Sequence, residues 1–268
     1  HLTQVKARFR GLCQYRLWPR DAVTINREDQ RMSITRKNPG PPVVKGAIAQ
    51  RGADSYAIVP RLPSGIITAD QLEALARAIR QYEIPIAKLT SGQRIALVGI
   101  KAADVPAVWA GLGMGEGRAV KHGVHYVQAC PGTAACGYGQ QDSLGLGARL
   151  EELFNGLDLP GKVKVGISGC PMCCGESYVR DIGLVGRKNG WTVIFGGNAG
   201  GRPRVGDELA SGLTADEALE LVGRALAHYR DNAKKCQRTA RFVEACGIES
   251  VRTALGLEET AKGPARQD

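Results

Sequence analysis

The sequence predicts an α+β protein in two parts, a βαββαβ unit followed by an α/β domain organised around four cysteines. Three observations predict it. In the first half, short apolar runs of strand length alternate with helix-start signals. Two cysteine pairs, C-x5-C and C-x3-C, open the second half with 33 residues between them. Beyond them, an apolar hairpin pattern is followed by a long amphipathic helix.

Residues 1–48 show no sustained period, carry scattered charge and end in the turn-rich Asn38-Pro39-Gly40-Pro41-Pro42. They read as an arm, with Met32 a candidate internal start. Residues 49–128 read as the first domain. A strand runs from Ser55 to Pro60. Thr68-Ala69-Asp70-Gln71 is a capping box that opens a helix with Leu72, Leu75, Ala76 and Ile79 on one face. Pro85 ends it. Strands at Ile86–Thr90 and Arg94–Gly99 flank Ser91-Gly92, a second helix covers Asp104–Ala110, and Val124–Gln128 is the last strand. That order is the ferredoxin-like split unit.

Residues 129–255 read as the second domain, with a polar, fraying tail at 256–268. A helix is expected over Asp142–Phe154 and a strand over Val163–Ser168, which delivers the chain to Cys170. Strands at Ile182–Arg187 and Trp191–Phe195 flank a turn at Asn189-Gly190. A second capping box, Thr214-Ala215-Asp216-Glu217, starts a helix to Asn232 with Leu219, Leu221, Val222, Leu226 and Ala227 inward. A short helix at Thr239–Cys246 closes the fold.

Composition narrows the function classes. Hydrophobic residues are 43% and charged residues 23%, and no apolar run reaches the length of a membrane span. The N-terminal charges from Lys6 to Arg36 do not suit a secretory signal, so a cytoplasmic setting is expected. Eight cysteines there are expected to be ligands, redox groups or buried thiols rather than disulfides. A formal charge of +10 points to an anionic partner. With aromatics at 5% and no helix-turn-helix or RNA-binding signature, nucleic acid is not the expected one.

Cys130 and Cys136 lie in Ala129-Cys-Pro-Gly-Thr-Ala-Ala-Cys136, and Cys170 and Cys174 in Ser168-Gly-Cys-Pro-Met-Cys-Cys174. Four thiolates suit a [4Fe-4S] cluster or zinc, and buried unrelated thiols are the plain alternative. Glycine and proline beside each pair let backbone amides approach the sulfurs. Gly145-Leu146-Gly147 lacks the third glycine of a nucleotide fingerprint and follows no strand.

The two cysteine stretches, together with Leu159-Pro-Gly-Lys-Val-Lys-Val-Gly-Ile-Ser-Gly-Cys170 and Gly196-Gly197-Asn198, resemble the siroheme-containing nitrite and sulfite reductase family. The likeness extends from Leu89-Thr-Ser-Gly-Gln-Arg-Ile95 past Thr239-Ala-Arg-Phe-Val243. Many members carry two such units and this chain has one, so it resembles the small single-unit branch, and monomer and homodimer are equally allowed.

The resemblance implies a siroheme and [4Fe-4S] cofactor pair, with Cys130, Cys136, Cys170 and Cys174 as cluster ligands and Cys174 bridging to the siroheme iron. It implies six-electron reduction of sulfite or nitrite, sulfite being favoured. Lys162 and Lys164 are the implied anion-binding pair, and residues two apart on a strand share a side. Arg94 is a further candidate. For the siroheme carboxylates the candidates are Asn198, Arg202 and Arg204, with Gly197 beside them and Gln93 as another contact. Solvent-facing lysines and a solvated arginine loop are the plain alternatives.

The chain departs from that family where Gly137 replaces an arginine, Ala135 an aromatic and Cys173 a polar residue. His125 stands in a region where relatives tend to place an arginine, and is a candidate proton donor. Cys173 reads as an inert buried thiol, a spare ligand or a redox thiol; Cys13, Cys236 and Cys246 read as structural or incidental. These departures keep two other readings open: a siroheme protein for electron transfer, tetrapyrrole handling or sensing, and a plain cluster protein. Without a flavin or nicotinamide motif, electrons are expected from an external donor such as ferredoxin, docking on a basic face.

Overall fold

The computed structural model describes residues 42–51, 54–117 and 122–257. Most of the expected arm, including Met32 and Cys13, and nearly all of the tail lie outside the described residues. Among them no helix is long and apolar enough to cross a membrane.

The first sheet has four antiparallel strands: β1 (Ile48–Ala49), β2 (Tyr56–Ile58), β3 (Ile86–Leu89) and β4 (Ile95–Ile100), in the order β1-β2-β4-β3. Two helices, α1 (Ala69–Gln81) and α2 (Val105–Leu112), supply the rest of its core, where Ile58, Leu97 and Val108 are fully buried. Thr68 caps α1 through the expected box, its side chain accepting from Gln71 N–H. The inward face of that helix is rotated from the expected one. Ala74, Leu75 and Ala78 are buried in the first core while Leu72 is exposed.

The closing strand of the split unit requires a correction. After α2 the chain does return beside β2, but only as a single antiparallel bridge between Pro60 and Glu116. The expected last strand, found as β5 (Gly123–Ala129), instead begins the second sheet by pairing in parallel with β6 (Lys162–Ser168). Almost every residue of β5 is buried, as a parallel strand covered on both faces requires, and Val124, Val127 and Ala129 join the larger core.

The second sheet runs β5-β6-β7-β8-β9, with β7 (Ile182–Arg187), β8 (Gly190–Phe195) and β9 (Asp207–Leu213). Arg187 pairs with Gly190, so the hairpin turn is Lys188-Asn189 rather than Asn189-Gly190, and Gly190 takes φ +126°. Helix α3 (Ser143–Phe154) is capped by Asp142, whose carboxylate accepts from Gly145 N–H at 2.9 Å. Gly147 in α3 leaves room for Ser64, whose Oγ lies 2.4 Å from where a Cβ would stand. Helix α4 (Ala215–Asn232) buries Leu219, Leu221, Val222 and Leu226 as expected, with Ala227 only half-buried and Ala225 and Tyr229 completing the face. Helices α5 (Thr239–Cys246) and α6 (Ile248–Ala254) follow. Neither β9 nor α6 was expected from the sequence.

Candidate functional site

Parallel pairing of β5 with β6 brings the two cysteine motifs to one edge of the sheet. Ala129 is in register with Ile167, so Cys130 and Gly169-Cys170 leave neighbouring strands at the same carboxyl end. The loops then touch. Gly169 N–H donates to Cys130 Sγ at 3.1 Å, and Gln140 and Gln141 N–H both donate to Gly169 O, at 2.8 and 3.0 Å. A Cβ on Gly169 would stand 2.7 Å from Gly132 Cα, so glycine is required for this approach.

Cys130 and Cys170 are buried, whereas Cys136 and Cys174 are exposed. Among the described residues, no three His, Cys, Asp or Glu side chains stand close enough to hold one metal ion. Four cysteines in two glycine-flanked loops are the donor set of a four-iron cubane, and the Gly169 amide aimed at Cys130 Sγ is the contact such clusters accept. The donor set fits the cluster.

Cys173 sits half-buried at φ +58°, its N–H donating to Cys170 O at 3.3 Å. The chain then folds back over β6. Gly175 N–H donates to Ser168 Oγ at 3.0 Å, and Gln128 Nε2 donates to Gly175 O at 2.9 Å. A Cβ on Gly166 would lie 2.4 Å from Gly175 O, so the Cys174–Gly175 corner rests on the face of β6 that carries Gly166. Lys162 and Lys164 alternate onto that same face, four and two residues earlier respectively.

Those lysines line a cavity of about 360 Å³ together with Arg94, His125, Tyr126 and Arg238. Burial, then Arg238, lowers both ammonium pKa values from the ordinary lysine range. Two residues of β5 oppose one step of β6 between Val124 and Tyr126, so His125 is bulged out of the ladder. The bulge aims its ring at Arg94, with Nη2 and Nε2 3.1 Å apart. Arg94 is only 8% exposed, and burial pushes its guanidinium below the ordinary arginine value.

Gln93 adopts φ +56° at the end of the β3–β4 turn and spends both ends of its amide on Ala129. Its Nε2 donates to Ala129 O at 2.9 Å, and its Oε1 accepts from Ala129 N–H at 3.0 Å. It thus fixes the backbone directly before Cys130.

The glycine-rich loop after β8 does not line the lysine cavity. Asn198 and Arg204 form an isolated bridge, and Asn198 Nδ2 donates to Arg202 O at 2.7 Å. Arg204 donates to Gly196 O at 3.0 Å and to Asp207 at 2.5 Å, leaving Arg202 as the guanidinium most open to solvent. Gly197 packs on the chain just past the cysteine loop, where a Cβ would lie 2.5 Å from Arg180 O.

Four residues of the site were not read from the sequence: Tyr126, Arg180, Asp181 and Arg238. Arg238 reaches the cavity wall while held by Asp181, and Arg180, 4% exposed, pairs with Glu176 behind the cysteine loop. The signal available was the Arg180-Asp181 pair directly before the apolar run Ile182–Gly186, a place where charges need partners.

Residues 121–263 match the nitrite and sulphite reductase 4Fe-4S domain, and residues 48–114 the nitrite/sulfite reductase ferredoxin-like half domain. A sulfite reductase, assimilatory-type, from Nitratidesulfovibrio vulgaris is 58% identical over 79% of this chain and 97% of its own length. A nitrite reductase [NAD(P)H] from Bacillus subtilis is 41% identical over 76% of this chain but only 26% of its own length. Among solved structures, dissimilatory sulfite reductase I is similar with a TM-score of 0.69 at 13% identity, covering 80% of this chain and 72% of that one. The NirA protein of Mycobacterium tuberculosis gives 0.67 at 19% identity, covering 75% of this chain and 39% of that one; both likenesses bear on fold alone.

Proposed function

This chain belongs to the nitrite and sulfite reductase family, and we propose that it carries out the six-electron reduction of sulfite to sulfide. The observation that carries the reading is the single sheet face on which the Cys174–Gly175 corner follows Lys162 and Lys164 along one strand. The family's siroheme and [4Fe-4S] cluster, when bound, supply an electron relay and an iron with an open position.

The residues divide the remaining work. Cys130, Cys136, Cys170 and Cys174 would hold the cluster, and Cys174 would also serve the siroheme. Lys162, Lys164 and Arg94 receive the anion and stabilise charge as its oxygen leaves as water. His125, oriented by Arg94, delivers a proton. Asn198, Arg202 and Arg204, beside Gly197, would bind the macrocycle's carboxylates; Gln93 would act on it indirectly, through Ala129. Sulfite is favoured over nitrite by the 58% identity to an assimilatory-type sulfite reductase.

The formal charge of +10 suits an acidic one-electron donor of the ferredoxin type, and reduction by it should slow as salt is raised. A reducing cytoplasm, which keeps the cysteines as thiols, is the compartment this reading requires. The deciding experiment is an anaerobic absorption spectrum with iron, zinc and acid-labile sulfide analysis, followed by turnover with sulfite and nitrite. Siroheme bands, four non-haem irons per chain and sulfide release support the reading. Zinc, or iron without a tetrapyrrole band after siroheme reconstitution, overturns it.

A further inference from the structure

Tyr126 is paired in register with Lys164 on the neighbouring strand and is 7% exposed. Three cations lie over its ring: Arg94 at 5.5 Å from the centroid, Arg180 at 5.7 Å and Lys164 at 5.8 Å. All three distances are within the range where the ring quadrupole attracts a cation, and the attraction strengthens when water is excluded. The ring is held in turn by Gly92, where a Cβ would stand 2.8 Å from it.

We propose that Tyr126 is a positioning residue for the anion cavity, its ring being the common partner that holds Arg94, Lys164 and Arg180 together. Three like charges converging without a ring between them repel: the arginines would turn outward, and Lys164 would turn outward or lose its proton. The aromatic face offsets that repulsion before any anion arrives, so the cavity stays cationic and shaped. Arg180 also pairs with Glu176, which follows the C-x3-C loop, so the same ring ties the lysine cavity to the cysteine side of the site. The hydroxyl is buried without a hydrogen-bond partner among the described residues, which assigns the role to the ring rather than to the O–H. Burial also raises the phenol pKa, keeping the ring neutral.

This inference rests on the reductase reading, and the experiment separates the two. Wild type, Tyr126→Phe and Tyr126→Leu are compared as cofactor-loaded enzymes matched in siroheme and iron content. Tyr126→Phe should keep the sulfite KM within about twofold, whereas Tyr126→Leu should raise it about tenfold with kcat changed far less, as the loss of roughly one well-placed cation–π contact implies.

A second readout uses the cofactor-free chain, where the pH dependence of Lys164 acetylation is followed by peptide mass spectrometry. The groups facing Lys164 are Lys162, Arg94, Arg180, Arg238 and Asp181. The Lys164 pKa should fall by about one unit in Tyr126→Leu and hold in Tyr126→Phe. Leucine behaving as wild type in both measurements overturns the proposal, as does phenylalanine behaving as leucine. Absence of sulfite turnover in wild type would instead count against the reductase reading and leave the acetylation result to decide on the ring.

Discussion

Asp181 and Arg238 form a two-pronged ion pair beneath the anion cavity. Arg238 Nε donates to Oδ1 at 3.1 Å and Nη2 to Oδ2 at 2.5 Å, while Asp181 itself is 1% exposed. The same carboxylate accepts from Thr239 Oγ1 at 2.6 Å and from the Lys164 N–H at 2.9 Å. One buried acid at the mouth of β7 therefore fixes the lysine strand, the start of α5 and the guanidinium on the cavity wall.

That arrangement sets an order for two variants. Arg238→Ala leaves a buried carboxylate short of its charge partner, and should destabilise by about 3–5 kcal/mol. Asp181→Ala strands an arginine that is 29% exposed and can turn to water, so its cost should be no larger, about 2–3 kcal/mol. Urea unfolding midpoints check this. An Asp181→Ala protein clearly less stable than Arg238→Ala would show that the Thr239 and Lys164 contacts outweigh the ion pair.

Gly169→Ala should separate the cysteine loops. The new Cβ would meet Gly132 Cα at 2.7 Å and Gln141 O at 2.8 Å, both backbone, and overpacking of this kind costs about 1–3 kcal/mol. Non-haem iron per chain should fall by more than half while far-ultraviolet circular dichroism is kept. Gly137→Ala is the control, since nothing lies within 4 Å of its Cβ position. Full iron in Gly169→Ala would mean that the two loops need not touch to hold a cluster.

Much of the fold was legible because local signals and tertiary demand agree. Thr68 and Thr214 cap α1 and α4 through boxes visible as four-residue patterns. Ile182–Arg187 and Trp191–Phe195 read as strands because nearly every residue in them is buried. Strand β9 was not legible, since in Asp207–Leu213 only Leu209 is buried and an edge strand tolerates polar residues and glycine. The apolar pattern of Val124–Gln128 shows a strand but not which sheet claims it. The two cysteine loops were legible as a pair from spacing and neighbouring glycines, and the strand pairing brings Cys130 and Gly169 together. Tyr126, Arg180, Asp181 and Arg238 were not, because their meaning lies in contacts as far apart as 58 residues of chain.

Gln93 offers a test of backbone placement before Cys130. Gln93→Ala leaves the N–H and O of Ala129 without their side-chain partners in a half-buried position, at a cost of about 1–3 kcal/mol. Thermal unfolding should detect the loss, and cluster iron should become easier to chelate because the strand end is no longer pinned. Gln93→Glu keeps the acceptor but not the donor, and should fall between wild type and alanine. Alanine unfolding at the wild-type temperature would show that Ala129 is held by its sheet pairing alone.

The lysine pair predicts an alkaline limit to activity. Burial, with Arg238 and other nearby cations, lowers both ammonium pKa values, so the charge that receives sulfite is lost at lower pH than the ordinary lysine value of about 10.4. For stability the sign is opposite to that of a salt-bridged lysine. The fold disfavours the charged form, so the penalty is full below the folded pKa and fades as pH rises towards the unfolded one. The kcat/KM for sulfite should therefore fall through an inflection below about 10.4. In Lys162→Arg/Lys164→Arg that limb should move up, because guanidinium stays protonated throughout the range. An inflection unchanged in the double variant would assign the alkaline limit to a different group and remove the lysines from the anion-binding step.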